Sequence, residues 1–463
     1  MKALLSTSPH RLYKPHQVVG IQWMMQRETI AKGGLLCDDM GLGKTEQILG
    51  LIKNTSHLKT LLLCPKALIP QWRKEFLRCG FAVHVAEKGA WKRVNAATTP
   101  RFVYVTNYDA LIGKPHLFAS NFGRVCLDEA HQGLCKKGRL YEQVNSIKRK
   151  VTWAITATPL INTDKDTQTL LSLVGYTSKM LATSPLSELV QEAVLHRSMD
   201  ELRTSLPNLP PPAKENTISL DFASEEEAEF YQGIQGKIFR RWKSLERDAS
   251  PMKFQLFMRL RQLSIHPQVY IGARKREPFG YSRDCWTGTS TKFAAAEKLL
   301  LDRKTPTRWI IFCQFKDEMS LLENEFMDRY TVLQYHGDLS EEQKASVLRQ
   351  TEDDLEGKHM LLLVNIKSGG VGLNLQHFTH IIFMSPWWTS ALMRQSVGRA
   401  VRIGQTEEVQ VYHLILKEEE TLNIDAIMRE KVATKEKFLV ELLSRASRGN
   451  LSNDIREKEN ASA

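Results

Sequence analysis

Lys44 lies near the end of the run Asp38-Asp39-Met40-Gly41-Leu42-Gly43-Lys44-Thr45, which follows apolar Leu35-Leu36-Cys37 and leads into a helical stretch ending near Asn54. Strand, glycine loop and helix form the context in which backbone N–H groups and a helix N-terminus hold phosphate. Gly41 and Gly43 let the backbone approach the anion, the Lys44 ammonium can reach β and γ phosphates, and the Thr45 hydroxyl can ligate Mg²⁺. The strict pattern opens on glycine and this run opens on Asp38, so taken alone it also reads as a glycine turn capping a helix. A second constellation follows: Arg124-Val125-Cys126-Leu127 runs into Asp128-Glu129-Ala130-His131. An aspartate at the carboxyl end of a strand beside such a loop can hold Mg²⁺ through its water shell, and Glu129 can orient and deprotonate an attacking water. Two acids at a helix start also suit the helix dipole. After a phosphate loop, at this spacing, they read as the acid pair of a nucleoside-triphosphate-hydrolysing site.

Two further groups fit that chemistry. Thr156-Ala157-Thr158-Pro159 closes another apolar run. Thr158 there fits a helix cap with Pro159 in the first turn, and the hydroxyls of Thr156 and Thr158 can also bond the acids of Asp128-Glu129 and, with His131, report nucleotide state. A helix predicted over 391–402 carries Gln395, Arg399 and Arg402 at spacings that put all three on one face. Arginines facing a triphosphate stabilise the charge of the phosphoryl-transfer transition state; a solvated basic face is the alternative reading.

These residues need a scaffold that brings strand ends together. Gly34–Cys37, Thr60–Cys64, Phe102–Val105, Arg124–Leu127 and Val151–Ile155 read as buried strands, with helical stretches such as Ala67 to Leu77 between them. A second block has strands at Trp309–Cys313, Met360–Val364, His380–Met384 and Val409–Leu416, and helices at Leu321–Phe326, Glu341–Leu348 and Ala391–Val401. Strand–helix alternation with near-continuous apolar strands predicts two α/β lobes with parallel sheets. Between them Leu206-Pro207-Asn208-Leu209-Pro210-Pro211-Pro212 breaks any helix, and Glu225 to Trp242 and Phe254 to Leu263 read as helical. The expected division is residues 1–176, a mostly helical insert over 177–290, a second lobe over 291–445, and a polar, disordered tail over 446–463.

Composition narrows the setting. Lys plus Arg number 64 and Asp plus Glu 52, a net charge of +12 that suits a polyanionic partner. No stretch approaches the roughly 20 apolar residues of a membrane span. Met1-Lys2-Ala3-Leu4-Leu5 is too short an apolar run for a signal peptide, so a soluble intracellular protein without membrane partners is expected. None of the seven cysteines forms a C-x-x-C pair, and Cys37, Cys64, Cys126 and Cys313 lie in apolar runs. Buried reduced thiols are therefore expected rather than zinc or disulfides.

Taken together, the motifs resemble those of the Swi/Snf-type DNA-translocating ATPases of helicase superfamily two, in order along about nine tenths of the chain. Lys14-Pro15-His16-Gln17 with Gly20 and Trp23 resembles the adenine-reading Q motif, and Asp38 to Thr45 the family's D-[DE]-M-G-L-G-K-T, which itself lacks the first glycine. Cys64-Pro65-Lys66 through Gln71-Trp72 and Glu75 resembles motif Ia, Asp128 to His131 motif II, and Thr156 to Pro159 with Asn162 motif III. Phe257 through Leu260-Arg261-Gln262-Leu263 to His266-Pro267, and Tyr335-His336-Gly337, are similar to family blocks. Lys367 to Leu375 resembles motif V, and Pro386-Trp387-Trp388 precedes a motif VI running from Gln395 to Gln405. Departures are Asn365 for serine, Val401 for histidine, Ser385 for aspartate, Thr389-Ser390 for Asn-Pro, and no Lys-Asn pair after His131. They bear on coupling and rate rather than on hydrolysis, because Lys44, Asp128, Glu129, Arg399 and Arg402 are all present.

The resemblance implies two RecA-like lobes of a P-loop NTPase that clamp ATP and Mg²⁺ between them. Nucleotide contacts are then expected from Gln17, Asp39, Met40, Gly41, Leu42, Gly43, Lys44, Thr45, Gly372, Arg399 and Arg402, and Mg²⁺ contacts from Thr45 and Asp128. Lys66, Gln71, Asn107, Gly369, Gly370 and Trp388 are the expected grips on a nucleic-acid backbone, and such contacts carry no base information. The implied partner is double-stranded DNA, with DNA-bound proteins as targets, in the nucleus or cytoplasm. A strand-separating helicase on DNA or RNA, and a nucleotide-gated binding module, are the alternatives. No bromodomain-, chromodomain- or RING-like segment is found.

Overall fold

Strands that are apolar along their whole length bury both faces, which is what a parallel sheet covered by helices provides. The computed structural model describes residues 6–8, 11–55, 59–97, 99, 101–134, 138–157, 164–206, 209–246, 250–278, 280–288, 290–355, 357–369, 373–387, 389–402, 404–417, 423–430 and 433. The chain divides into two compact units, one running to Leu209 and the other from Pro210 to Thr434.

The first unit holds an eight-stranded sheet in the order Val194–Leu195, Gly33–Leu36, Arg149–Ile155, Phe122–Asp128, Thr60–Cys64, Phe102–Asn107, Ala82–Glu87, Ala90–Arg93. All neighbours run parallel except the last pair, an antiparallel hairpin. Gly33–Leu36 and Thr60–Cys64 are buried at every residue. Leu35, Leu61, Leu63, Val125, Leu127 and Ala154 share one face and one core with Leu170, Leu171 and Val190 from the covering helices. Truncating such a leucine to alanine typically costs about 2–5 kcal/mol, because a cavity is left behind.

The second unit holds a six-stranded, all-parallel sheet in the order Lys214–Leu220, Gln410–Leu416, His380–Phe383, Arg308–Cys313, Met360–Asn365, Thr331–Tyr335. Alternation splits its strands between two cores: Trp309, Ile311, Leu361 and Leu363 face one side, and Ile310, Phe312, Leu362 and Val364 the other. The fold class expected from the apolar runs, two α/β lobes on parallel sheets, is thus the observed one.

Three local expectations change. Residues 177–290 are mostly helical but do not stand apart as an insert. Val194–Leu195 extends the first sheet, Lys214–Leu220 extends the second, and the division between units falls inside the proline-rich run. The helices Glu225–Ser244, Ser250–Ile265 and Pro267–Lys275 join Leu416, Ile424 and Met428 in a third core of the second unit. The helix expected over 391–402 is Ser390–Val397. Beyond it the bonds tighten to three-residue steps, Arg399 N to Ser396 O and Ala400 N to Val397 O, so the two arginines sit on turns rather than on a continuous helical face. Gly398 stands where the helix stops. Thr158, Gly370, Gly372, Trp388, Cys135 and the tail 446–463 lie outside the described residues.

Cys37, Cys64, Cys126 and Cys313 are buried free thiols, and burial pushes the Cys126 thiol up to about 12. Among the described residues no helix is long and apolar enough to cross a membrane.

Candidate functional site

The carboxyl ends of the strands in a parallel sheet face the starts of the helices that follow them, so loops there collect ligands. At the end of Gly33–Leu36 the chain turns through Gly41 (φ +84°) and Gly43 (φ +83°) into the helix Lys44–Asn54. Both glycines take the left-handed conformation that other residues adopt only at a cost, and such turns make a concave nest of N–H groups. A Cβ at Gly43 would lie 2.3 Å from Gln17 Nε2, so any side chain there must displace the Gln17 amide. His16 Nε2 and Gln17 Nε2, at the start of the helix Pro15–Ile30, both donate to the Leu42 carbonyl, at 2.8 and 3.1 Å. Gln17 is thereby seated on the loop, while the Leu42 side chain is wholly buried and anchors it. Lys44 Nζ donates to the carbonyls of Asp38 (2.6 Å) and Asp39 (3.2 Å), inside the curve of the loop.

Asp38, in place of the usual first glycine, is wholly buried and accepts Arg197 Nε at 3.0 Å, Arg197 Nη2 at 2.5 Å and Gln47 Nε2 at 2.8 Å. Burial works to raise this carboxyl, and Arg197, Gln47 and Lys44 together hold it below its ordinary value. Arg197 also donates to the His16 carbonyl and, at 3.0 Å, to Gln47 Oε1. Asp39 is bonded through its carboxylate to Met199 N at 2.9 Å, and its own N–H donates to Arg197 O. The segment after Val194–Leu195 therefore props the loop from behind. Sequence reasoning missed Arg197, because its partner lies 159 residues away.

The acid pair ends the strand Phe122–Asp128, two strands from the loop. Asp128 Oδ2 accepts Trp72 Nε1 at 2.6 Å, and Oδ1 accepts the Glu129 N–H at 3.0 Å. Its backbone carbonyl accepts the Tyr108 hydroxyl at 2.7 Å. Burial, and then the Glu129 charge, push the Asp128 carboxyl up to about 7. Glu129 has φ +49°, a left-handed glutamate of the kind found where a site imposes its geometry. His131 Nδ1 lies 2.8 Å from Thr156 Oγ1 and 3.3 Å from Glu129 Oε2. Burial, and then Lys44, bring the His131 pKa down to about 4, which leaves the ring neutral at pH 7. His131 thus links the Thr156 hydroxyl to the acid pair. Thr156 N is in turn bonded to Leu36 O, at the root of the loop.

On the same edge, one strand further on, Thr60–Cys64 leads to exposed Lys66 and Gln71, and its neighbour Phe102–Asn107 ends on half-buried Asn107, in register with Cys64. Asn107 Nδ2 donates to Asp109 Oδ2 at 3.2 Å.

In the second unit, residues around motifs V and VI lock together. Arg402 Nη1 donates to Leu373 O at 3.1 Å, Leu375 N to Arg399 O at 3.0 Å, and Gln405 Nε2 to Gln376 O and Phe378 O at 2.7 and 3.2 Å. Gln395 and Arg399 are buried, and burial lowers the Arg402 pKa. Gly369 ends the short helix Ile366–Gly369. Two departures from the family pattern meet on Gln314: Asn365 Nδ2 donates to its carbonyl at 3.3 Å, and its amide nitrogen donates to Ser385 Oγ. Arg261 Nη2 donates to Pro386 O at 3.2 Å with its guanidinium over the Trp387 ring, 4.9 Å from the centroid.

Among the described residues no three His, Cys, Asp or Glu side chains gather as a metal cage. The nest of Gly41 and Gly43, with Lys44 inside the curve, fits a phosphate chain. A model of the SNF2-related domain matches residues 16–180, and one of the helicase conserved C-terminal domain matches 291–404. The chain is 26% identical over 465 residues to a probable global transactivator of Orgyia pseudotsugata multicapsid polyhedrosis virus, covering 93% of this chain and 91% of that protein. It is 26% identical over 431 residues to the SWI/SNF-related matrix-associated actin-dependent regulator of chromatin subfamily A member 1 of Mus musculus; there it spans 87% of itself and only 41% of the relative. A solved Sulfolobus solfataricus SWI2/SNF2 ATPase core in complex with dsDNA aligns over 97% of both chains at 21% identity, with a TM-score of 0.41. The two domain matches take in more than half of the chain, one on each sheet, and with them this chain belongs to the SNF2-related, helicase-like ATPases.

Proposed function

We propose that the chain hydrolyses ATP to ADP and phosphate and uses the cycle to move along double-stranded DNA, remodelling or clearing what is bound to it. One observation carries this reading: the order in which the candidate groups line the carboxyl edge of the first sheet. From Gly33–Leu36 inward, successive strands end in the phosphate loop, Thr156, Asp128-Glu129, Lys66 with Gln71, and Asn107. Along that edge the acid pair lies between the candidate phosphate loop and the candidate backbone grips Lys66, Gln71 and Asn107. The printed name of one relative, a regulator of chromatin, supports DNA as the partner.

In this reading Gln17 and the loop from Asp39 to Thr45 hold the nucleotide, and Lys44 carries the charge that meets the β and γ phosphates. Thr45 and Asp128 would hold Mg²⁺, which when bound neutralises charge developing on the transferring group. Glu129 takes the proton of the attacking water, and neutral His131 keeps its carboxylate in place. Arg399 and Arg402 supply positive charge to the transition state, and Gly372 is a further nucleotide contact. Gln395, Thr156 and Thr158 couple nucleotide state to motion. Lys66, Gln71, Asn107, Gly369, Gly370 and Trp388 hold the backbone, in whichever compartment contains the DNA.

The test is ATPase rate measured in parallel with duplex DNA, single strands and RNA, together with a strand-displacement assay. Stimulation by duplex without displacement is expected, and duplex affinity should fall by about 10³–10⁵ between 50 and 200 mM salt for a protein gripping 6–10 phosphates. Displacement of strands would replace this reading with the helicase, and absent turnover would replace it with the nucleotide-gated binding module.

A further inference from the structure

The helix Ile69–Arg78 is tied into the nucleotide site at both ends. In its first turn Trp72, which is 3% exposed, donates from Nε1 to Asp128 Oδ2 over 2.6 Å. In its last turn Arg78 Nη2 donates to both oxygens of Glu46, at 2.8 and 3.1 Å, while Glu75 steadies Arg78 Nε at 2.7 Å. Glu46 is in the first turn of the helix Lys44–Asn54, two residues after the phosphate-loop lysine. The two ties are about 9 Å apart along the axis, at the helical rise per residue. Between them the Trp72 ring stacks on Phe76, with centroids 5.3 Å apart, and Phe76 meets Phe81 edge-on, so the helix is backed by packed rings.

Its outer surface has a different character. Gln71, Arg73 and Lys74 are exposed, and exposed Lys66 lies on the turn just before the helix. A buried indole N–H needs an acceptor somewhere, and Arg–Glu pairs on helices are common. Neither need explains why one basic-faced helix ends on the acid pair at one tip and on the phosphate-loop helix at the other.

We propose that Ile69–Arg78 is a two-ended strut: phosphates taken up on its outer face shift it, and the shift reaches Asp128 through Trp72 and the phosphate-loop helix through Arg78. Trp72 and Arg78 are then positioning residues through which nucleic acid and nucleotide sense each other. The inference rests on the reading of the chain as a duplex-dependent ATPase and adds the route by which the duplex acts. Because coupling between two sites is reciprocal, it is measurable in binding without any hydrolysis.

The experiment is calorimetric binding of a non-hydrolysable ATP analogue with and without saturating duplex DNA, and of duplex with and without the analogue. The parent should show a coupling factor in the usual range of about 5–150-fold. Trp72→Phe keeps the ring stack and removes the donor. The set Arg78→Met with Glu46→Gln and Glu75→Gln removes the second tie without stranding a charge. Each should lower the coupling factor, and together they should bring it close to one, while analogue affinity without duplex stays near that of the parent. A parental factor in the combined variant overturns the strut, and so does an equal loss of analogue affinity with and without duplex, which marks a purely structural role. A parent that binds both ligands without coupling overturns it as well. If the parent binds no duplex, the proposed function fails first and the strut falls with it.

Discussion

Arg197 lays its guanidinium across both carboxylate oxygens of Asp38, a residue with no solvent exposure at the root of the phosphate loop. Removing one partner of a buried ion pair typically costs about 3–5 kcal/mol, because the other charge is left without compensation. Arg197→Met should therefore shift denaturant melts by an amount of that order and weaken nucleotide binding, since the loop loses its support. Adding Asp38→Asn should recover part of the stability. An unchanged melting midpoint in Arg197→Met would show that the pair contributes nothing.

Glu129→Gln retains the left-handed backbone position and the size of the side chain but cannot take a proton from water. Nucleotide binding should survive and single-turnover hydrolysis should drop by about 10²–10⁴, the usual worth of a positioned general base. Parental turnover would remove Glu129 from the role of base.

Arg402→Ala separates chemistry from stability. Losing the hydrogen bond to Leu373 O should cost about 1 kcal/mol, a small movement of the thermal melt. Loss of an arginine that stabilises transferring phosphate costs about 10³–10⁵ in rate. Stimulated turnover should collapse while the fold persists, and Arg399→Ala combined with it should add little, because groups that act as a unit are not additive. A variant that unfolds yet keeps its turnover per folded molecule would make Arg402 structural.

Glu318 offers a pH test away from the nucleotide site. Its Oε2 accepts Gln314 N and Phe315 N at 2.7 and 3.1 Å, its Oε1 has no partner among the described residues, and the buried cations Lys292 and Arg261 lie near it. Burial raises its carboxyl from an ordinary 4.5 to about 7. The folded state thus holds the proton more tightly than the unfolded chain. Its contribution to stability is complete below pH 4.5 and is lost as pH rises through 7, a change of about 3 kcal/mol at most. Glu318→Gln keeps an acceptor for both N–H groups, so the difference in unfolding free energy between it and the parent should vary with pH across that window. A difference constant with pH would mean that Glu318 does not titrate there.

Much of the first lobe was legible because its signals are local. The phosphate loop, the acid pair and Thr156 each end an apolar run, and a run such as Thr60–Cys64, buried at every residue, has few readings other than an interior parallel strand. Edge strands were not legible. Lys214–Leu220 is Lys-Glu-Asn-Thr-Ile-Ser-Leu, none of it fully buried, and Val194–Leu195 is two residues long; both are strands only because an open sheet edge lies beside them. The helix over 391–402 was read too far, because side-chain periodicity continues through Arg402 while the backbone bonding tightens at Gly398. Trp72 and Glu75 were noticed only as parts of a resemblance. The Glu75–Arg78 pair is an i,i+3 contact legible on one helix, whereas the partner of Trp72, Asp128, lies 56 residues away and is found only in space.

The short strand Val194–Leu195 also determines where the first lobe can be cut from the rest. A fragment stopped at 176 would contain every motif of that lobe, yet it would strip the outer edge of Gly33–Leu36 and leave its N–H and C=O groups bare. A bare, flat and apolar edge invites pairing with another copy, so such a fragment should self-associate. Carried through Leu209, where the first unit ends, it keeps that edge covered.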